Sequence, residues 1–122
     1  MTVRSDLDVW PCYPALLQAV NYYEAALKNS MESQPHLRME LAELYLKLKQ
    51  FEKADRTLRT GLSEIREAGE NLTHLMDATR YWQLLARVYR EGGSEVVKVT
   101  TALENARDNQ ARCAGSELHI YV

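Results

Sequence analysis

Proline and glycine are scarce, at three and five of 122 residues. So few breakers suit a fold of short strands and tight turns poorly, and no segment alternates apolar and polar residues with period two. Cysteine is scarcer still. Cys12 and Cys113 stand near opposite ends, and spacing alone leaves open whether they meet, although a reducing compartment favours two free thiols. The three histidines, His36, His74 and His119, are far apart, and neither an HExxH nor a Cys-x2-Cys pair accompanies them, so zinc has no ligand set. Cys113 and His119 lack a third member and an oxyanion site. There is no glycine-rich phosphate loop, since Gly92-Gly93 reads as a turn between helices. Catalytic residues, cofactor and metal are therefore all expected to be none. No apolar run approaches a membrane span, and the start of the chain lacks the charged and apolar regions of a signal peptide. Residence in the cytosol without membrane insertion is expected. A formal net charge of −2 gives no basic footprint for nucleic acid.

What is present is a helical pattern. Hydrophobic residues make up 46% and charged residues 26%, which suits one packed domain. Apolar residues recur at i, i+3, i+4 and i+7, most clearly at Trp82, Leu85, Ala86 and Tyr89. Breaks fall near Pro35, at Lys49-Gln50, at Gly69-Glu70-Asn71 and at Gly92-Gly93. The spacing predicts five helices at roughly 14–28, 35–48, 51–67, 75–91 and 95–112. Pro35 suits a first helical turn, and Gly69 and Gly92 suit left-handed positions past helix ends. Asn71-Leu72-Thr73 spells a glycosylation sequon, unread in the absence of a secretory signal. PCYP, from Pro11 to Pro14, reads as the linker into the first helix.

The helices are of two alternating kinds. The second and fourth share Leu41-Ala42-x2-Tyr45 and Leu85-Ala86-x2-Tyr89, the latter with Trp82 three residues before it. The first, third and fifth follow another template, large, small, large, small at spacings of three, four and three. It gives Leu16, Ala19, Tyr23, Ala26; then Phe51, Ala54, Leu58, Gly61; then Val96, Val99, Leu103, Ala106. Such self-similarity marks stacked helical repeats. The residues resemble the tetratricopeptide repeat, with Ala42 and Ala86 at its glycine position and Ala54-x3-Leu58 in its second half. That resemblance implies an all-α, right-handed solenoid of paired antiparallel helices. An extended lead over 1–13 would precede a repeat segment over 14–112, made of a half repeat at 14–30 and repeats at 35–68 and 75–112. An irregular tail would occupy 113–122. The expected packing residues are Ala19, Leu41, Ala42, Tyr45, Ala54, Leu58, Gly61, Trp82, Leu85, Ala86, Tyr89 and Ala106, the small ones letting backbones approach. One irregularity is a 44-residue step from Tyr45 to Tyr89, about ten beyond the usual repeat. Either the helices or the connection between them must be longer.

NYYEAALKN, LAELYLKLKQFEKADRTL, YWQLLARVY and TTALENARDNQAR further resemble the C-terminal region of the ciliary tetratricopeptide repeat protein 21 family. The likeness leaves residues 1–13 uncovered and stops before Cys113. It implies a non-catalytic scaffold, part of a subunit of intraflagellar transport complex A. Its setting would be retrograde transport and cilium assembly, in the cytoplasm and cilium, among other protein subunits. Self-association through exposed end helices is a further expectation.

Repeat proteins of this kind bind extended peptides on the face lined by the first helix of each pair. In that frame Arg80, Gln83, Arg87 and Arg90 line one stretch, fit for an acidic segment because guanidinium groups pair bidentately with carboxylates. The alternative is an ordinary solvated flank. The corresponding residues of the earlier helix, His36, Met39, Glu43 and Leu46, are mixed. A chaperone-type carboxylate clamp of lysine and asparagine is not matched, since Met39, Glu43, Gln83 and Arg87 hold its places.

Overall fold

The computed structural model describes residues 13–31, 33–69 and 71–121, with side chains as far as residue 114. Five helices follow one another: α1 (Tyr13–Asn29), α2 (Pro35–Lys47), α3 (Phe51–Ala68), α4 (Leu72–Glu91) and α5 (Val96–Tyr121). Each packs on the next, and α2 also touches α4. The result is an all-α solenoid in which first-of-pair helices α2 and α4 lie side by side, with second-of-pair helices α1, α3 and α5 behind them. The expected lead falls outside the described residues except for Tyr13, which opens α1.

Local chemistry explains the helix limits. Pro35 occupies the first turn of α2, where its missing N–H costs nothing. Lys49 ends that helix at φ 59°, a left-handed conformation that usually falls to glycine. The backbone N–H groups of Lys49 and Gln50 donate to Leu46 and Tyr45 carbonyls at 3.0 and 2.8 Å. The periodicity predicts a start for α4 at residue 75, but Asn71 moves it to Leu72. The Asn71 side chain accepts from the His74 N–H at 2.9 Å, closing an N-cap. At the next turn Gly93, not Gly92, adopts positive φ, at 73°. Gly92 is instead favoured by close approach, because a Cβ there would stand 2.9 Å from the Val88 carbonyl oxygen and 3.1 Å from the Phe51 ring.

One open alternative is decided and one expectation is corrected. The ten extra residues between Tyr45 and Tyr89 lie in longer helices, 18 residues in α3 and 20 in α4, joined by a short turn. The tail over 113–122 is not irregular as far as it is described: α5 continues to Tyr121. Residues 113–121 contain no proline and a single glycine, Gly115, so nothing in them stops a helix already propagating.

The core runs along the stack as one cluster. On α3 the buried stripe is Ala54, Leu58, Gly61 and Leu62, at helical spacing. Leu41, Ala42, Tyr45, Leu85, Ala86, Tyr89 and Ala106 are also buried, while Ala19 and Trp82 are half-buried. On α5 the template's large positions behave differently: Val96 and Leu103 remain exposed, and Ala102 and Ala106 are the buried residues. Tyr23 is turned inward and Tyr22 is 69% exposed, their rings edge to face at 5.6 Å.

The largest fully enclosed side chain is Tyr81, one residue before the tryptophan that carries the repeat template. Its ring occupies the notch left by Gly61, and a Cβ on Gly61 would lie 2.5 Å from the Tyr81 Cζ. The Tyr81 hydroxyl is buried and finds no hydrogen-bond partner. Polar ties link the helices around this seam. Arg38 of α2 donates from Nε and Nη2 to Glu64 Oε1 and Oε2 of α3, at 2.9 and 2.8 Å, and Ser33 Oγ donates to Glu64 Oε1 at 3.2 Å. Arg59 of α3 donates from Nη2 to the Tyr89 hydroxyl at 2.8 Å, which donates to Asp55 Oδ1 at 2.9 Å. The Tyr45 hydroxyl donates to Glu24 and so joins α2 to α1.

Burial raises the Tyr81 phenol above its ordinary value of 10, against a smaller lowering by the Arg38 charge. A group whose pKa is raised on folding contributes stability that is complete below the unfolded value and is lost as pH rises through the folded one. Thermal stability therefore falls above pH 10, and Tyr81→Phe softens the fall. At neutral pH that change leaves the melting temperature level or raised, because an unpartnered buried hydroxyl costs ~1–3 kcal/mol. Melts of both proteins at pH 7 and pH 11 test this. A large loss at pH 7, or an identical alkaline loss in both proteins, contradicts it.

Candidate protein-interaction site

The face formed by α2 and α4 carries a groove of about 510 Å³. From α4, Arg80, Gln83, Leu84 and Arg87 form one wall; from α2, His36, Met39, Glu40 and Glu43 form the other. The geometry follows from the helical period. Residues three, four and seven apart share a face, and the packing of α2 on α4 sets these two faces opposite each other.

Three of the four residues expected on this face therefore lie in one groove. Arg90 is exposed but is not among its lining, and Leu46, its counterpart on α2, is buried in the core. The electrostatics also differ from an arginine stripe. Glu40 and Glu43 stand across from Arg80 and Arg87, so the groove presents both signs of charge. Arg87 Nε donates to Glu91 Oε2 at 2.8 Å, a half-exposed pair at i, i+4 that is worth a few tenths of a kcal/mol. The Glu40 carboxylate nearby raises the Tyr23 phenol above its ordinary range. Glu40 is not among the residues expected on this face. Its place follows from Leu84, since the two positions are separated by the same 44 residues as Tyr45 and Tyr89.

Arg80 and Gln83 also border a neighbouring groove between α4 and α5, where Gln110 and the free thiol of Cys113 stand with Met76 and Thr79. Cys12 and the side chain of His119 lie outside the described residues. Among the described residues no group of three or more His, Cys, Asp or Glu side chains is placed to hold a metal ion. No described helix is long and apolar enough to cross a membrane. What the surface offers is shape and fixed charge over helical backbone, the means by which repeat solenoids hold other chains.

Comparison with known proteins agrees with this architecture. Residues 16–117 match the family described as Tetratricopeptide repeat protein 21 forth ARM domain; armadillo-type and tetratricopeptide repeats are both α-solenoids. The chain is 42% identical over 94 residues to human Tetratricopeptide repeat protein 21B, which covers 77% of this chain and 7% of that protein. It is 41% identical over 96 residues to mouse Tetratricopeptide repeat protein 21A, covering 78% of this chain and 7% of that protein. The chain thus spans a small fraction of the length of these relatives. No solved structure matches it significantly. With five helices in the expected order and a family match across most of its length, the chain belongs to the tetratricopeptide repeat protein 21 family.

Proposed function

We propose that this chain forms part of a non-catalytic scaffold within intraflagellar transport complex A, acting in retrograde ciliary transport and cilium assembly. The observation that carries this is the 42% identity to Tetratricopeptide repeat protein 21B across three quarters of the chain. The solenoid surface supports it, because the ordered polar side chains tie helix to helix rather than converging on a reacting centre. Location in the cytoplasm and cilium, and contacts with other subunits of the complex, follow from the same reading.

A second reading is a free-standing adaptor that takes a peptide in the groove between α2 and α4. It is favoured by Arg80, Gln83 and Arg87 lining one cleft. The opposing Glu40 and Glu43 weaken the preference for a purely acidic ligand, since like charges brought together are penalised.

Affinity capture of the tagged chain from ciliated cells, followed by mass spectrometry, separates the two. The scaffold reading expects the complex subunits to be recovered together, and expects Arg87→Glu to leave that recovery intact. Recovery of chaperones or of one acidic partner without transport subunits overturns it.

A further inference from the structure

We propose that a second groove, between α3 and α5, is a docking site for an acidic peptide segment anchored by a large apolar side chain. The groove has a volume of about 390 Å³, within the ~300–1,000 Å³ common for ligand clefts. Its floor is apolar, formed by Leu62, Trp82, Leu85 and Ala102, and its rim carries Arg59, Arg66 and Lys98. No acidic side chain lines it. The groove between α2 and α4, by contrast, opposes its arginines with two glutamates.

The two grooves use opposite sides of α4. Trp82, Leu85 and Tyr89 stand roughly half a turn around the helix from Arg80, Leu84 and Arg87 at about 100° per residue. A ligand of one groove therefore leaves the other open, and this inference does not rest on the transport-complex reading.

The rim is built as well as charged. Arg59 is held by Asp55 and Tyr89, and Lys98 lies over the Tyr89 ring at 5.7 Å. Arg66 is exposed at the other end of the rim. Val97, 69% exposed at the edge, extends the apolar strip to the surface. Arg66 and Lys98, beside an apolar floor that no acidic side chain lines, are complementary to carboxylates flanking an apolar side chain, while Arg59 shares its charge with Asp55. The floor gains by losing water, and the cations choose the sign of the partner and speed its approach.

The test uses the full chain carrying Trp10→Phe, so that Trp82 is its sole tryptophan and reports from the floor of the groove. The probe is the peptide Glu-Asp-Phe-Leu-Asp-Glu, with one analogue carrying lysine for each acid and another carrying serine for Phe-Leu. Saturable change in Trp82 emission with the acidic probe is expected, weaker at higher salt. Both analogues are expected to bind at least about tenfold more weakly, as is the acidic probe to Arg66→Glu/Lys98→Glu protein. Arg80→Glu/Arg87→Glu, on the far side of α4, is expected to leave binding unchanged. Circular dichroism of each variant separates lost binding from lost folding. Equal affinity for the lysine analogue, binding lost on changing Arg80 and Arg87 instead, or no saturation by about 1 mM overturns the proposal. So does a dimer in sedimentation that Arg66→Glu/Lys98→Glu dissociates, since a second copy then occupies the groove.

Discussion

Gly61→Leu lowers the melting temperature by roughly 10 °C or more, whereas the neighbouring change Thr60→Leu moves it by only a few degrees. Glycine inside a helix costs about 1 kcal/mol relative to alanine, so α3 retains Gly61 against its own propensity. The reason is the Tyr81 ring, 2.5 Å from where a Cβ would sit and enclosed on every side. Even Gly61→Ala meets that wall. Its gain in helix propensity is opposed by an overpacking cost of ~1–3 kcal/mol, and the larger leucine side chain adds to it. Each 1 kcal/mol shifts the melting temperature of a small domain by ~4–8 °C. Thr60 faces solvent, and its hydroxyl donates to the Arg56 carbonyl at 2.9 Å, so little is lost there. Thermal melts by circular dichroism measure both. Adding Tyr81→Leu to Gly61→Ala recovers part of the loss, because the two side chains contend for one volume. Equal shifts at positions 60 and 61 contradict the contact.

The second large effect is at Leu58. It is 0% exposed and belongs to one cluster with Leu41, Leu85 and Tyr89. Leu58→Ala is expected to cost ~2–5 kcal/mol, the lost transfer energy plus that of the cavity left behind. Leu103 holds the same template position on α5 yet is 48% exposed. Leu103→Ala is expected to stay within ~0.5 kcal/mol of the parent. Urea unfolding midpoints at unchanged slope give the comparison. Similar losses at the two positions would mean that the repeat template, rather than burial in this chain, sets the energetics.

Those two leucines mark the limit of what the sequence discloses. Helix number, order and the buried stripe of α3 are legible because a period of 3.6 places Ala54, Leu58, Gly61 and Leu62 on one side whatever lies beyond. Which residue fills the space beside Gly61 is not. Tyr45 and Phe51 are the aromatic residues expected beside the small positions, but the ring in the notch belongs to Tyr81, although Ala78, Tyr81 and Leu85 stand at helical spacing. Asn71 reads in the sequence as the start of a sequon, and its role as a helix cap comes only from the hydrogen bond to the His74 N–H. Likewise Gly92 and Gly93 share a turn, and the position of Phe51 assigns them different tasks. The candidate groove required a relation between helices. Arg80, Gln83 and Arg87 are identifiable on their own helix, but the glutamates facing them depend on how α2 and α4 are set side by side.

The contact of α2 with α4 has a mechanical consequence. In a stack where each helix touches only its sequence neighbours, separation at one joint passes freely through the assembly. Here α4 is gripped on three sides, by α2, α3 and α5, while α1 touches α2 and buries only Val20 of its 17 residues. Among the described residues, α2 to α5 are therefore the more closely packed helices and α1 the less buried one. Within these helices the joint between α1 and α2 relies most on single ties, and the hydrogen bond from Tyr45 to Glu24 is one that crosses it.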